Sequence, residues 1–359
     1  MYDVVAIGEL LIDFASKSTD ADGYPTMAAN PGGAPGNFLS ALNAYGKKTA
    51  FLSKVGDDAF GHMLVGTMRR AGIETKGIVV DPTVFTTLAF VTFDADGDRS
   101  FSFARKPGAD TCIRWEELDR TLIDQARVFH FGTLSLTDEP ARTATQKAVA
   151  YAKSAGKLIT FDPNYRAPLW RTQEEAKEQM LWGLAQADVV KISEEEVDFL
   201  WGVSPEQGAQ RVLELGAQLA MVTLGPEGCY LQTKNAACRC RSPKVHPIDT
   251  TGAGDIFGGS AISELLDTGK APQELTQAEL PTISGMLTGG SGTGSSGYGI
   301  FRGAGGAFKP CDMQGNEGVG AAYAPDHADA SAWVNGVGAY QGAKMEFGAN
   351  AAHNNMPPY

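Results

Sequence analysis

The chain has 359 residues, 43% of them hydrophobic, which is enough apolar material for one large core or two ordinary domains. Its 42 acidic residues outnumber 30 basic ones, giving a formal net charge of −12 and none of the basic face that a nucleic-acid binder uses to neutralise phosphates. No stretch of about 18 apolar residues occurs, so no membrane-spanning helix is expected, and neither nucleic acid nor membrane is an expected partner.

The opening segment, MYDVVAIGELLIDFAS, carries an apolar run over 3–8 that ends in Gly8. Asp3, Glu9 and Asp13 interrupt its apolar character and no basic residue precedes it, unlike a signal peptide, so a cytoplasmic protein is expected. Residues 36–46 read as a helix that follows a Gly-Gly-Ala-Pro turn and stops at Gly46. Residues 49–55 read as a short strand, and 59–71 as a helix that stops at Gly72. From 86 to 104 the pattern alternates, and Asp96-Gly97 marks a hairpin turn. Asp94 to Asp98 resembles the start of a calcium loop, but Arg105 stands where the closing Glu of an EF-hand is required.

From 128 to 270 strand-like runs (128–131, 158–161, 188–192, 219–223) alternate with helical segments (139–155, 172–186, 205–216). This rhythm implies an α/β protein with a mostly parallel sheet and helices on both faces. Such sheets bind ligands at the carboxyl ends of their strands, which directs attention to the motifs there. After about residue 281 the composition changes: TGGSGTGSSGYG follows, the last leucine is Leu287, and Gly and Ala dominate to the end. The expected organisation is therefore one domain over 1–287 and a poorly ordered Gly/Ala-rich tail over 288–359, because sparse apolar area does not offset backbone entropy.

Cys112, Cys229, Cys238, Cys240 and Cys311 form no Cys-x-x-Cys pair and are expected to be reduced thiols. Cys238 and Cys240 would share one face of a strand.

Chemistry concentrates in a few segments. The strongest is DTTGAGDIFGGS, residues 249–260. Gly252, Ala253 and Gly254 leave their N–H groups open at a helix N-terminus, an arrangement suited to an anion, and Asp255 at its edge is placed to take a proton from an attacking hydroxyl. The plainer alternative is a glycine loop with an acid favoured by the helix dipole. A second segment, Gly32-Gly33-Ala34-Pro35-Gly36-Asn37, permits close backbone approach and offers a donor and an acceptor to a polyol through Asn37. Here the alternative is a capped helix start. Asp13 follows the first strand and has a carboxylate for sugar hydroxyls. Arg105 and Arg166 each follow a strand and read either as oxygen clamps or as surface ion pairs. KISEEE (191–196) could hold magnesium through water or be a solvated helix start, and VTLGPEG (222–228) suits backbone approach to a nucleotide.

Taken together, these segments resemble the ribokinase-like (PfkB-type) sugar kinases, and within them the fructokinase branch, over about residues 2–280. The resemblance implies a Rossmann-like ribokinase fold with a small β-sheet lid from about 14–31 and 86–104, and ATP-dependent phosphorylation of a sugar primary hydroxyl, with fructose as substrate. It implies Asp255 as base and Gly252, Ala253 and Gly254 as anion hole. Asp13, Gly32, Gly33, Asn37, Arg105 and Arg166 would serve the sugar, and Ser193, Thr223, Gly225 and Gly228 would serve ATP. Glu196 would hold Mg2+ through water, and Asp249 and Thr251 a monovalent cation, K+. A homodimer through the lid is a further expectation. Two alternatives stay open: a kinase for an acidic sugar such as 2-keto-3-deoxygluconate, and a catalytically impaired sugar-binding protein. Two departures from the family stand out, Ser193 in place of Asn in the Asn-x-x-Glu motif and the tail after about 281.

Overall fold

The computed structural model describes residues 1–93, 99–242 and 252–284. Asp249, Thr251, the Asp96-Gly97 turn and the tail over 288–359 lie outside the described residues. The chain divides into two compact units, one built from residues 1–36, 49–69 and 73–187, the other from 37–48, 70–72 and 188 onward.

The first unit holds nine strands: β1 (Tyr2–Ile7), β2 (Leu11–Thr19), β3 (Pro25–Gly32), β4 (Thr49–Gly56), β5 (Ile78–Asp81), β6 (Leu88–Phe93), β7 (Arg99–Ala104), β8 (Ala126–Gly132) and β9 (Leu158–Asp162). Five of them are parallel neighbours in the order β9-β8-β1-β4-β5. Every residue of β4 is buried, as are Val4 to Ile7 of β1. That is why these strands read as unbroken apolar runs, because each has both faces covered. Phe51, Phe129, Phe131 and Phe161 are fully buried there, each contributing about 2–3 kcal/mol relative to exposure. The unit's helices are α2 (Ala59–Arg70), α3 (Arg120–Asp124), α4 (Ala141–Ser154) and α5 (Gln173–Gln186), and α1 (Ala34–Ala44) begins in it.

The remaining four strands form a separate sheet in the order β3-β2-β6-β7, with β2 and β6 parallel and the outer pairs antiparallel. This is the small second sheet implied by the family resemblance, and the alternation at 86–104 corresponds to its antiparallel β6–β7 pair. It differs from expectation in one respect: β2 begins at Leu11, so Asp13 sits inside a strand, opposite Asn30 of β3 and Ala89 of β6, rather than in a connection ahead of the lid. The polar run ASKSTDADGYPT carries no hydrophobic alternation to reveal β2 and β3, since much of both is exposed.

The second unit contains β10 (Val189–Ser193), β11 (Leu219–Thr223), β12 (Cys229–Thr233) and β13 (Ala237–Cys240). β10 and β11 are parallel, and β12 and β13 complete the order antiparallel. Its helices are α6 (Glu194–Trp201), α7 (Pro205–Glu214), α8 (Ala253–Thr268) and α9 (Leu280–Ile283), together with most of α1. Capping sets their starts. Ser204 accepts from the Gln207 N–H ahead of Pro205 at the first turn of α7, and Ser193 does the same for α6 through Glu196.

Candidate active site

In the first unit the Gly32-Gly33 turn is fixed from two sides. A Cβ at Gly32 would collide with the Asp13 carboxylate, so Asp13 lies directly over that backbone. Gly33 has φ +117°, and a Cβ there would come within 2.5 Å of the Glu9 carbonyl oxygen. Only glycine adopts this conformation in this space. The N–H of Ala34, the first of α1, donates to Glu9 Oε1 at 2.9 Å. Glu9 is fully buried, and burial pushes its carboxyl up to about 7 against the opposing pull of that hydrogen bond. Glu9 was not singled out from the sequence. Its signal is an acid two residues beyond an apolar strand, and nothing in the spacing ties it to residue 34.

Arg105 departs from both of its expected roles. It is buried, with Nε and Nη2 on Asp110 Oδ2 at 2.8 and 2.6 Å, Nη1 on Thr137 Oγ1 at 2.8 Å and Nη2 also on the Leu134 carbonyl at 2.7 Å. It is neither a surface ion pair nor an open clamp. Burial works against its charge, but the Asp110 carboxylate overrides that and holds its pKa above the ordinary value. Thr87 donates to Asp110 as well, so the group braces the end of the small sheet. Arg166, by contrast, is exposed after β9, and Nη1 donates to the Tyr165 carbonyl at 2.9 Å.

In the second unit α8 starts at Gly252, whose left-handed φ of +78° turns the chain into the helix, so the N–H groups of Ala253 and Gly254 belong to the open first turn. Asp255 follows, buried, and its Oδ2 accepts from Asn37 Nδ2 at 2.9 Å. The two residues are 218 positions apart. Close packing of α1 on α8 brings them together: Gly259 faces the Phe38 carbonyl so closely that a Cβ would sit 2.6 Å from it. Asn37 Oδ1 is buried and has no hydrogen-bond partner among the described residues. A buried acceptor without a donor costs about 1–3 kcal/mol, which a bound hydroxyl would relieve.

Lys191 of β10, to which the sequence reading assigned no role, also lies at this helix start. It is buried, and a Cβ at Gly254 would come within 2.7 Å of its Nζ. The start of α8 thus combines helix N–H groups with a lysine ammonium, two sources of positive potential at one point. Its sequence signal is a charged residue in the apolar run VVKIS.

The residues expected at the nucleotide fall together. Ser193 and Thr223 are register partners at the carboxyl ends of parallel β10 and β11. Gly225 and Gly228 frame the turn after β11, where Leu224 N–H donates to the Gly228 carbonyl at 2.8 Å. Ser193 also belongs to a capping box with Glu196, whose Oε2 accepts from the Ser193 N–H at 2.8 Å. Glu196 is buried, and its carboxylate is held in place by that bond. No cluster of three or more metal-ligating side chains occurs among the described residues.

Residues 1–278 match the pfkB family of carbohydrate kinases. Fructokinase-2 of Solanum lycopersicum is 42% identical over 268 residues, covering 74% of this chain and 82% of that protein. A fructokinase from Xylella fastidiosa, solved with bound ATP, superposes with a TM-score of 0.68 and 31% identity over 79% of this chain and 86% of its own. A fructokinase double mutant from Vibrio cholerae O395, solved with fructose, ADP and potassium ion, gives a TM-score of 0.71 and 30% identity over 81% and 91%. The α/β class and the small second sheet read from the sequence agree with these structures. With the family matching more than three quarters of its length, this chain is a member of the pfkB family of carbohydrate kinases.

Proposed function

We propose that the chain transfers the γ-phosphoryl group of ATP to the primary hydroxyl of fructose, giving fructose 6-phosphate. The observation that carries this reading is the start of α8, where open helix N–H groups, Lys191 Nζ packed against Gly254, and Asp255 fall within one turn. Similarity to fructokinases supports the choice of sugar.

Phosphoryl transfer proceeds through a loose transition state, so positioning and charge stabilisation supply most of the acceleration. The N–H groups at Ala253 and Gly254 and the Lys191 ammonium stabilise charge on the phosphoryl oxygens. Asp255 accepts the proton of the attacking hydroxyl late, as the new P–O bond forms. Asn37 Nδ2 fixes that carboxylate, and Asn37 Oδ1 accepts from a second sugar hydroxyl. Asp13 accepts further hydroxyls over the Gly32-Gly33 turn, and Arg166 offers donors to sugar or phosphate oxygens. Arg105, a sugar residue by family resemblance, is proposed here to brace the end of the small sheet through Asp110.

Ser193, Thr223, Gly225 and Gly228 are the proposed ATP contacts. Glu196 fits a magnesium ion held through water, because one immobile carboxylate is what a cation that keeps its waters requires. Its charge would offset that of the phosphates. Asp249 and Thr251 remain the proposed K+ residues. The domain boundary near 287 is also retained, supported by composition and by a family match that ends at 278.

Coupled ADP detection across a sugar panel tests the assignment. The specificity constant for fructose should exceed those for ribose, adenosine and 2-keto-3-deoxygluconate. A higher constant for any of the three would sink fructose and leave the family alone standing.

A further inference from the structure

The second unit gathers three of the chain's cysteines at one place. Cys229 opens β12, and Cys238 and Cys240 lie on β13. Cys229 and Cys240 are cross-strand register partners, and Cys238 Sγ lies 3.6 Å from Cys240 Sγ. Cys240 is buried, whereas Cys238 is half-buried and in reach of solvent. The cluster adjoins the turn assigned to the nucleotide. Cys229 is the register partner of Thr223, and a Cβ on Gly228 would run into the Cys240 carbonyl oxygen.

We propose that Cys238 and Cys240 form a reversible oxidation site, which a small hydroperoxide converts to a Cys238–Cys240 disulfide, and that this bond weakens nucleotide binding. The second half of the proposal rests on the assignment of Thr223, Gly225 and Gly228 to ATP.

The chemistry balances in two steps. The Cys238 sulfur attacks the hydroperoxide while its proton passes to the departing oxygen; the O–O bond breaks, an alcohol or water leaves, and Cys238 becomes a sulfenic acid. Cys240 sulfur then attacks Cys238 sulfur, the S–O bond breaks and water leaves, so two thiols are oxidised and one hydroperoxide is reduced. The surroundings favour Cys240 as the attacking group: hydrogen bonds from the Cys229 and Cys238 thiols, with a further one from Ser284, stabilise its thiolate and bring it down to about 3. The same contacts push Cys229 and Cys238 up, so the negative charge of the cluster rests on Cys240.

Geometry supplies the coupling. Two residues apart on an extended strand, Cα atoms are about 6.6 Å apart, at the upper end of the range about 4.4–6.8 Å that disulfides span. Closing the bond therefore draws β13 together locally, and the Cys240 main chain is packed against Gly228. A shift there disturbs the turn that carries Gly225 and Gly228.

The test uses the full chain. The reduced protein is treated with hydrogen peroxide in modest excess, blocked with a thiol reagent and mapped by mass spectrometry, and ATP and fructose kinetics are measured before and after. A Cys238–Cys240 bond reversed by dithiothreitol is expected, with KM for ATP rising about five-fold and kcat at saturating ATP changing less than about two-fold. Cys238→Ser should keep the untreated activity and lose both the bond and the response. Cys112→Ser should keep both. Absence of the bond, a Cys229–Cys240 bond in its place, or the same response in Cys238→Ser would overturn the oxidation site. If the bond forms and KM for ATP stays fixed, the link to the turn is refuted while the site stands, and direct ATP titration of Thr223→Val then shows whether the nucleotide assignment itself has failed.

Discussion

The two glycine-bearing helix starts of this protein look alike in sequence and differ in electrostatics. Gly32-Gly33 leads into α1 and Gly252-Ala253-Gly254 into α8, and either could be taken for an anion site. At α1 the first N–H is already bonded to the buried Glu9 carboxylate. At α8 a lysine ammonium stands beside the first turn. At the first start the Ala34 N–H is thus already taken by a carboxylate, and the Asp13 carboxylate covers the turn ahead of it. At the second, a lysine side chain adds to the helix N–H groups, the arrangement proposed above for a phosphoryl group. A glycine-rich helix start thus says that a ligand can come close; the neighbouring charge decides which ligand.

The sharpest break of this comparison would come from the brace beneath the first start. Asp110→Ala leaves the Arg105 guanidinium buried without its ion pair, and should cost about 3–5 kcal/mol of stability by chemical denaturation. A variant of unchanged stability with impaired fructose affinity would instead return Arg105 to the sugar.

Lys191→Met removes the charge that distinguishes the second start. Turnover should fall by about two decades, comparable to loss of one oxyanion-type donor, with fructose KM changing little. An equal loss in fructose binding would mean that Lys191 acts on the sugar side. Asn37→Ala should lower kcat/KM for fructose by roughly ten- to hundredfold, since it removes a charge-assisted hydrogen bond to Asp255 together with a hydroxyl acceptor. A change confined to KM would show that it reads sugar without positioning the base.

A further effect, on stability alone, is expected at Glu9. Its carboxyl titrates near 7 when folded and in the ordinary carboxylate range when unfolded, so the folded state binds more protons between those values. Stability should therefore fall as pH rises from about 4.5 to 7, by about 2–3 kcal/mol. Glu9→Gln keeps an oxygen for the Ala34 N–H and should flatten that slope in thermal unfolding. A slope identical to that of the parent protein would assign it to other groups.

Legibility in the sequence followed burial. β1, β4 and β8 to β11 are covered on both faces, so their apolar runs stood out, and the glycines of both helix starts marked turns. β2 and β3 carry polar residues with exposed faces and were visible only as a lid expected from family resemblance. β12 and β13 are short and were not read at all. The site was legible as residues and not as contacts. Asn37 and Asp255 were both named, but a bond across 218 positions depends on α1 packing against Gly259, which no local pattern encodes. Arg105 was named without Asp110, which stands five residues on, because burial decides whether such a pair clamps a ligand or braces a fold. Lys191 was hidden by the strand around it.

Asp255→Asn, assayed for turnover and titrated with fructose in parallel, tests the central claim most directly. The substitution keeps the size of the side chain and removes its capacity to take a proton. The account predicts turnover lower by roughly two to four decades with fructose affinity within about three-fold of the parent protein. Near-normal turnover, or loss of fructose binding in step with turnover, would contradict the assignment of Asp255 as the base.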